Sequence, residues 1–112
     1  MVTKNYIPDR GDFVWVDLNP TKGREQAKVR PALVISPKAY NQKTDLAIMC
    51  PITSKQKGYP FEVAINDKKV LGVVLSDHVR SLDWKVRNVK FITKAQTKVV
   101  QEVQTKLLLL VN

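Results

Sequence analysis

Apolar residues along this chain fall into short runs broken by glycine, proline and charge, and the rhythm changes only near the carboxyl end. Residues 13–18, Phe-Val-Trp-Val-Asp-Leu, follow Gly11-Asp12 and are rich in β-branched and aromatic side chains, which predicts a strand. Asn19-Pro20 ends it, because proline disfavours a helical residue before it and brings no N–H to a ladder. Residues 21–29 are polar and charged, contain Gly23, and read as a long loop. Residues 32–36, Ala-Leu-Val-Ile-Ser, make the next strand, entered through Pro31 and closed by Pro37. Residues 46–52 are mostly apolar, as expected of a strand buried on both faces. A second polar loop over 53–60 carries Lys55, Lys57 and Gly58. Residues 61–65 alternate and stop at the turn signal Asn66-Asp67; 72–76 form another strand and 86–92 a weaker one. Short strands at this spacing predict a compact, curved sheet or small barrel.

The carboxyl end has a helical period. Thr93-Lys-Ala-Gln96 matches a capping box, in which threonine and glutamine side chains satisfy orphan backbone N–H groups. Beyond it Ala95, Val99, Val103, Leu107 and Val111 recur at four-residue steps, with Val100 and Leu110 alongside. That stripe predicts a helix packed on the sheet. The expectation is therefore a mainly β protein with helices (α+β), built as one domain over residues 1–112.

Nothing here reads as a membrane span, since the longest apolar runs fall far short of the roughly 18 residues required. The amino terminus lacks an apolar stretch of signal-peptide length. Cys50 is the only cysteine and cannot form an internal disulfide, which fits a reducing cytoplasm; in its apolar strand it reads as a small buried hydrophobe.

Charge changes the picture. Nineteen Lys and Arg against ten Asp and Glu leave a net +9, which draws polyanions to the surface. Between Lys22 and Lys57 the cations Lys22, Arg24, Lys28, Arg30, Lys38, Lys43, Lys55 and Lys57 face only Glu25 and Asp45. Such a patch suits phosphates or an acidic peptide. With one histidine, His78, and one cysteine, no His/Cys zinc site can be assembled. The acidic residues show no spacing like the carboxylate cluster of a two-metal nuclease, and no Gly-rich phosphate loop is present. Neither a metal nor an organic cofactor is expected. What remains is the loop Pro20-Thr-Lys-Gly-Arg-Glu-Gln-Ala-Lys-Val-Arg-Pro31, longer than an ordinary connection and holding one carboxylate among cations.

With that loop the chain resembles the MazF/PemK family of toxin–antitoxin ribonucleases. The matching stretches are Pro8-Asp-Arg-Gly-Asp-Phe-Val-Trp-Val-Asp-Leu-Asn-Pro20, Gly23-Arg-Glu-Gln-Ala27 and Arg30-Pro-Ala-Leu-Val-Ile-Ser36. Others are Tyr40-Asn41, Pro51-Ile-Thr-Ser54, Lys57-Gly-Tyr-Pro-Phe-Glu-Val63, Gly72-Val-Val-Leu-Ser-Asp77 and Val79-Arg-Ser81. The resemblance implies an SH3-like, CcdB-like small β-barrel with a carboxyl-terminal helix, a homodimer, and cleavage of single-stranded mRNA at a short sequence. It also implies a cognate acidic antitoxin covering the active site, with DNA met only through the antitoxin complex. Lys28 departs from the family pattern, which often has a small residue there, and this bears on sequence preference.

RNA carries its own nucleophile in the 2′-hydroxyl. On that footing Arg30 is expected to grip the scissile phosphate through its planar fork, and Thr53 to hydrogen-bond a phosphate oxygen with Ser54 behind it. Glu25 has two roles open to it: the base that takes the hydroxyl proton, or a partner that orients Arg30. Lys57 and Lys28 are expected on phosphates. Trp15 either stacks on a base or packs in the core or dimer interface, and His78 either lines the RNA groove or is structural. The alternative is a non-catalytic, CcdB-like toxin that binds a protein target, a reading that leaves Glu25, Arg30 and Thr53 without a task.

Overall fold

A computed structural model describes residues 6–18 and 29–111 of the chain. Its body is one seven-stranded antiparallel sheet, ordered β4-β5-β3-β2-β1-β7 with β6 paired to β3. The strands are β1 (Asp12–Asp17), β2 (Val29–Val34), β3 (Leu46–Thr53), β4 (Glu62–Ala64), β5 (Val73–Leu75), β6 (Arg80–Asp83) and β7 (Lys90–Lys94). Among the described residues two α-helices complete it, α1 (Lys38–Thr44) and α2 (Thr97–Val111). This open antiparallel sheet with a carboxyl-terminal helix fits the SH3-like, CcdB-like, mainly β class expected from the sequence. Among the described residues no helix is long and apolar enough to cross a membrane.

The period-two pattern explains how the sheet buries both faces. Phe13, Leu33, Cys50 and Ile52 point to one side, where α2 covers them with Val99, Val100 and Val103. Val14, Val16, Ala32, Val34, Ala47 and Met49 point to the other, over Leu82 and Trp84. Strand β3 is thus packed on both faces, as its apolar run predicts. Cys50 is fully buried, as expected, and its Sγ lies 3.9 Å from the Ser76 carbonyl oxygen.

Both in-strand prolines sit where no ladder needs their nitrogen. Pro51 falls between the β6 pairing at 46–49 and the β5 pairing at 52–53, so β3 changes partners across it. Pro31 lies inside β2 rather than before it, opposite Trp15 and ahead of the β3 ladder, which begins at Ala32. Proline is tolerated where a bond is not required of it.

Strand β6, over residues for which no strand is expected, is one difference from the sequence reading, and three further elements also differ. Helix α1 has no apolar stripe; its one buried residue is Asn41. Asn41 Nδ2 donates to the carbonyls of Pro8 (2.8 Å) and Ser36 (3.1 Å), and the Trp84 indole donates to the Asn41 carbonyl at 3.0 Å. Asp9 adds a distant cap by accepting the Lys38 N–H at 2.9 Å. Tertiary hydrogen bonds, invisible to periodicity, therefore make this helix. The strand expected over 86–92 begins only at Lys90, because residues 84–88 turn and Asn88 takes a left-handed φ of 55°. Thr93 belongs to β7 and not to a cap: α2 opens at Thr97, with Val99 and Val100 donating to the Gln96 carbonyl.

Candidate active site

Antiparallel pairing brings the end of β1, the start of β2 and the end of β3 to one end of the sheet. In the β1–β2 ladder Val16 faces Arg30. The β2–β3 ladder ends with Ala32 facing Pro51, so Arg30, two residues before it on β2, and Thr53, two residues after it on β3, both lie past its last pair at this end. Thr53 in turn pairs with Val73 of β5. Val16 and Arg30 are thus opposed across β1–β2, and Thr53 and Val73 across β3–β5; directly opposed residues project to the same face. Residues 19–28, which include Glu25 and Lys28, lie outside the described residues. Their flanks, Leu18 and Val29, adjoin this same end.

Arg30 is exposed and Thr53 half-buried. The Thr53 Oγ1 accepts the Lys55 N–H at 3.1 Å, which leaves its own proton to donate outward. A cleft of about 190 Å³ opens beside it, walled by Thr53, Lys55, Lys57, Tyr59, Glu62, Leu75, Asp77 and His78. The structure therefore brings Thr53, Lys57 and His78 together, with Ser54 exposed next in the chain. His78 ends a short 3₁₀ turn after β5, with Nε2 3.9 Å from an Asp77 carboxylate oxygen.

Trp15 projects from the sheet face opposite to Val16 and Arg30, because successive strand residues alternate. It is 42% exposed, paired with Pro31 and Lys90, and so is not a core residue of this chain. Its own cleft, about 300 Å³, is lined by Asp17, Val29, Arg87, Asn88 and Lys90. Arg87 donates through Nη1 to the Asp17 carbonyl at 3.0 Å. Arg30 lines neither cleft; it is exposed at the end of the sheet that both adjoin, from where a guanidinium can grip a phosphate.

Two contributors escaped the sequence reading. Gly72 has φ +118°, and a Cβ there would lie 2.1 Å from the Thr53 carbonyl oxygen and 2.8 Å from its carbonyl carbon. Its hydrogen side chain lets β5 close on β3 and set Thr53. A glycine opening a strand is a known signal of close backbone approach. Glu62 accepts the Gly58 N–H at 2.9 Å and the Lys57 N–H at 3.0 Å. No local pattern announces that contact. Among the described residues no group of three His, Cys, Asp or Glu is placed to hold a metal ion.

Residues 9–111 match the family model described as PemK-like, MazF-like toxin of type II toxin-antitoxin system. The chain is 46% identical over 103 residues to the endoribonuclease toxin MazF of Escherichia coli (strain K12), covering 92% of this chain and 90% of that protein. It is 32% identical over 112 residues to the Escherichia coli endoribonuclease PemK, covering 96% and 84%. Among solved structures it is similar to a MazE–MazF crystal structure from Deinococcus radiodurans, with a TM-score of 0.89 and 49% identity over 96% of this chain and 97% of that one.

Proposed function

Because the chain belongs to the PemK-like, MazF-like toxins of type II toxin–antitoxin systems, we propose that it is a sequence-specific endoribonuclease cutting single-stranded mRNA. The 2′-hydroxyl loses its proton to a base and attacks the adjacent phosphorus, a 2′-O–P bond forms, the P–O5′ bond breaks, and O5′ takes up a proton from water. The ends are a 2′,3′-cyclic phosphate and a 5′-hydroxyl, and the cut halts translation and growth. The observation that carries this reading is that exposed Arg30 and Thr53 lie at the same end of the β2–β3 pair, Thr53 beside a cleft that also holds Lys57 and His78.

Arg30 grips two non-bridging oxygens as charge builds on them, and the Thr53 hydroxyl donates to one of them. Glu62 is an unsuitable base because its oxygens already accept backbone N–H groups. Glu25, whose flanking strands end here, takes the hydroxyl proton or orients Arg30. Lys28, Lys57, Ser54 and His78 contact the RNA, and Trp15 stacks on a base. The route needs no metal, so cleavage is expected to persist in excess chelator; activity lost there and restored by a divalent ion would overturn it.

Residues 1–112 act as one toxin domain in the cytoplasm. A cognate acidic antitoxin, matched to the net +9, covers the clefts, and DNA is met only through that complex. Exposed Leu108, Leu109, Leu110 and Val111 at the end of α2 support a homodimer, as does the nearby apolar groove walled by Ile35, Tyr40 and Ile48. The deciding experiment incubates purified protein with a defined single-stranded RNA and maps both new ends. Cyclic phosphate and 5′-hydroxyl ends are expected. Intact RNA would instead favour the protein-binding, CcdB-like alternative.

A further inference from the structure

The stretch Lys57-Gly-Tyr-Pro-Phe-Glu62 supplies three walls of the Thr53 cleft, yet the chemistry above uses only Lys57. Its backbone shows how it is held. Glu62 Oε1 accepts the Gly58 N–H at 2.9 Å and the Lys57 N–H at 3.3 Å, and Oε2 accepts the Lys57 N–H at 3.0 Å. Two successive N–H groups converge on one carboxylate because Gly58 takes φ +81°, a left-handed conformation that glycine adopts without strain. Bonds from N–H to an ionised carboxylate are among the stronger hydrogen bonds. The same loop is fastened from outside, since Lys106 of α2 donates through Nζ to the Pro60 carbonyl at 2.6 Å. The Glu62 backbone belongs to β4, paired with Leu75, so its side chain serves the loop rather than the sheet.

We infer that Glu62 is a positioning residue for RNA binding. Its carboxylate fastens the 57–61 loop in the conformation that aims Lys57 and Tyr59 into the cleft. The inference rests on the reading of that cleft as the RNA site. Without the carboxylate the loop samples other conformations, and apparent affinity falls by the fraction of time it is misplaced. The reacting atoms are untouched, so the loss belongs to KM.

The test compares Glu62→Gln, Lys57→Ala and the double variant on one synthetic RNA, with amide hydrogen exchange read by NMR. In Glu62→Gln the Lys57 and Gly58 amides exchange faster. KM rises about tenfold, as it would if the ordered fraction fell to roughly a tenth, and kcat stays within about threefold. The double variant loses less than the product of the singles, because with Lys57 gone the loop has one group fewer to aim; a fully multiplicative double would overturn the inference. Unchanged amide exchange, unchanged KM, or a fall in kcat at constant KM in Glu62→Gln would each overturn the inference. Lys57→Ala separates the two levels. If it raises KM while Glu62→Gln does not, only the clamp fails; if it leaves KM unchanged, the RNA reading of the cleft fails and takes the clamp with it.

Discussion

At the scale of single residues, Arg30 and Gly72 give the sharpest expectations. If Arg30 grips the phosphate as proposed, Arg30→Ala should lower kcat/KM by about 10²–10³ with the unfolding midpoint unchanged. Arg30→Lys keeps charge but not the planar pair of donors, and should recover only part of the loss. Steady-state cleavage of a synthetic RNA by either variant at the wild-type rate would remove Arg30 from the mechanism. Gly72→Ala acts by crowding. A methyl group 2.1 Å from the Thr53 carbonyl oxygen, on a backbone at φ +118°, should cost roughly 1–3 kcal/mol in urea unfolding and slow cleavage through displaced Thr53. The Cys50 thiol is pushed up to about 12, chiefly by burial and further by Asp77. The sign is definite: the unfolded chain releases this proton first, above the usual thiol pKa of about 8.5. Stability from this group is therefore complete below about 8.5 and lost as pH rises through about 12. Burial and Asp12 push the Tyr6 hydroxyl upward as well, in the same sense. Denaturant midpoints that rise between pH 9 and 11 would contradict this.

At the scale of elements, one buried carboxylate joins three segments. Asp12 opens β1 and accepts hydrogen bonds from the Tyr6 hydroxyl, the Asp9 N–H at 3.0 Å and Lys94 of β7. A single hydrogen bond to a charged group is worth about 1.5–3 kcal/mol, so Asp12→Ala should cost at least about 2 kcal/mol in urea unfolding. A change under about 0.5 kcal/mol, the size of an ordinary surface substitution, would show that the junction is not structural. Strands are legible where β-branched and aromatic content or alternation meets a turn residue, as at 13–18 and 61–65, but not at β6, which lacks both. Helix α1 is not legible, because Asn41 stabilises it by hydrogen bonds to Pro8 and Ser36, and polar periodicity carries no moment. The strand expected over 86–92 fails for a related reason: Val86 and Val89 suggest a run, but left-handed Asn88 breaks it. Within the site, Arg30 and Thr53 could be named from motifs that resemble a family. Gly72 and Glu62 could not, since their tasks exist only after β5 and β4 fold back on β3 and its loop. Distance along the chain hides what the register reveals.

At the scale of the whole molecule, the chain carries an excess of nine positive charges, which suits a polyanion. If about four phosphates are neutralised, log affinity for single-stranded RNA should fall against log salt with a slope near about −3. Fluorescence titration across a range of ionic strength reads this directly, and a flat response would mean that the basic clefts do not hold the backbone. Salt dependence reports binding alone, however, and the account stands or falls on how the strand is broken. Replacing the ribose at the cut position with its 2′-deoxy counterpart removes the nucleophile and leaves the phosphate contacts intact. The account predicts that the substituted strand binds and stays whole while the all-ribose control is cut; scission of the deoxy-substituted strand at the same bond would contradict it.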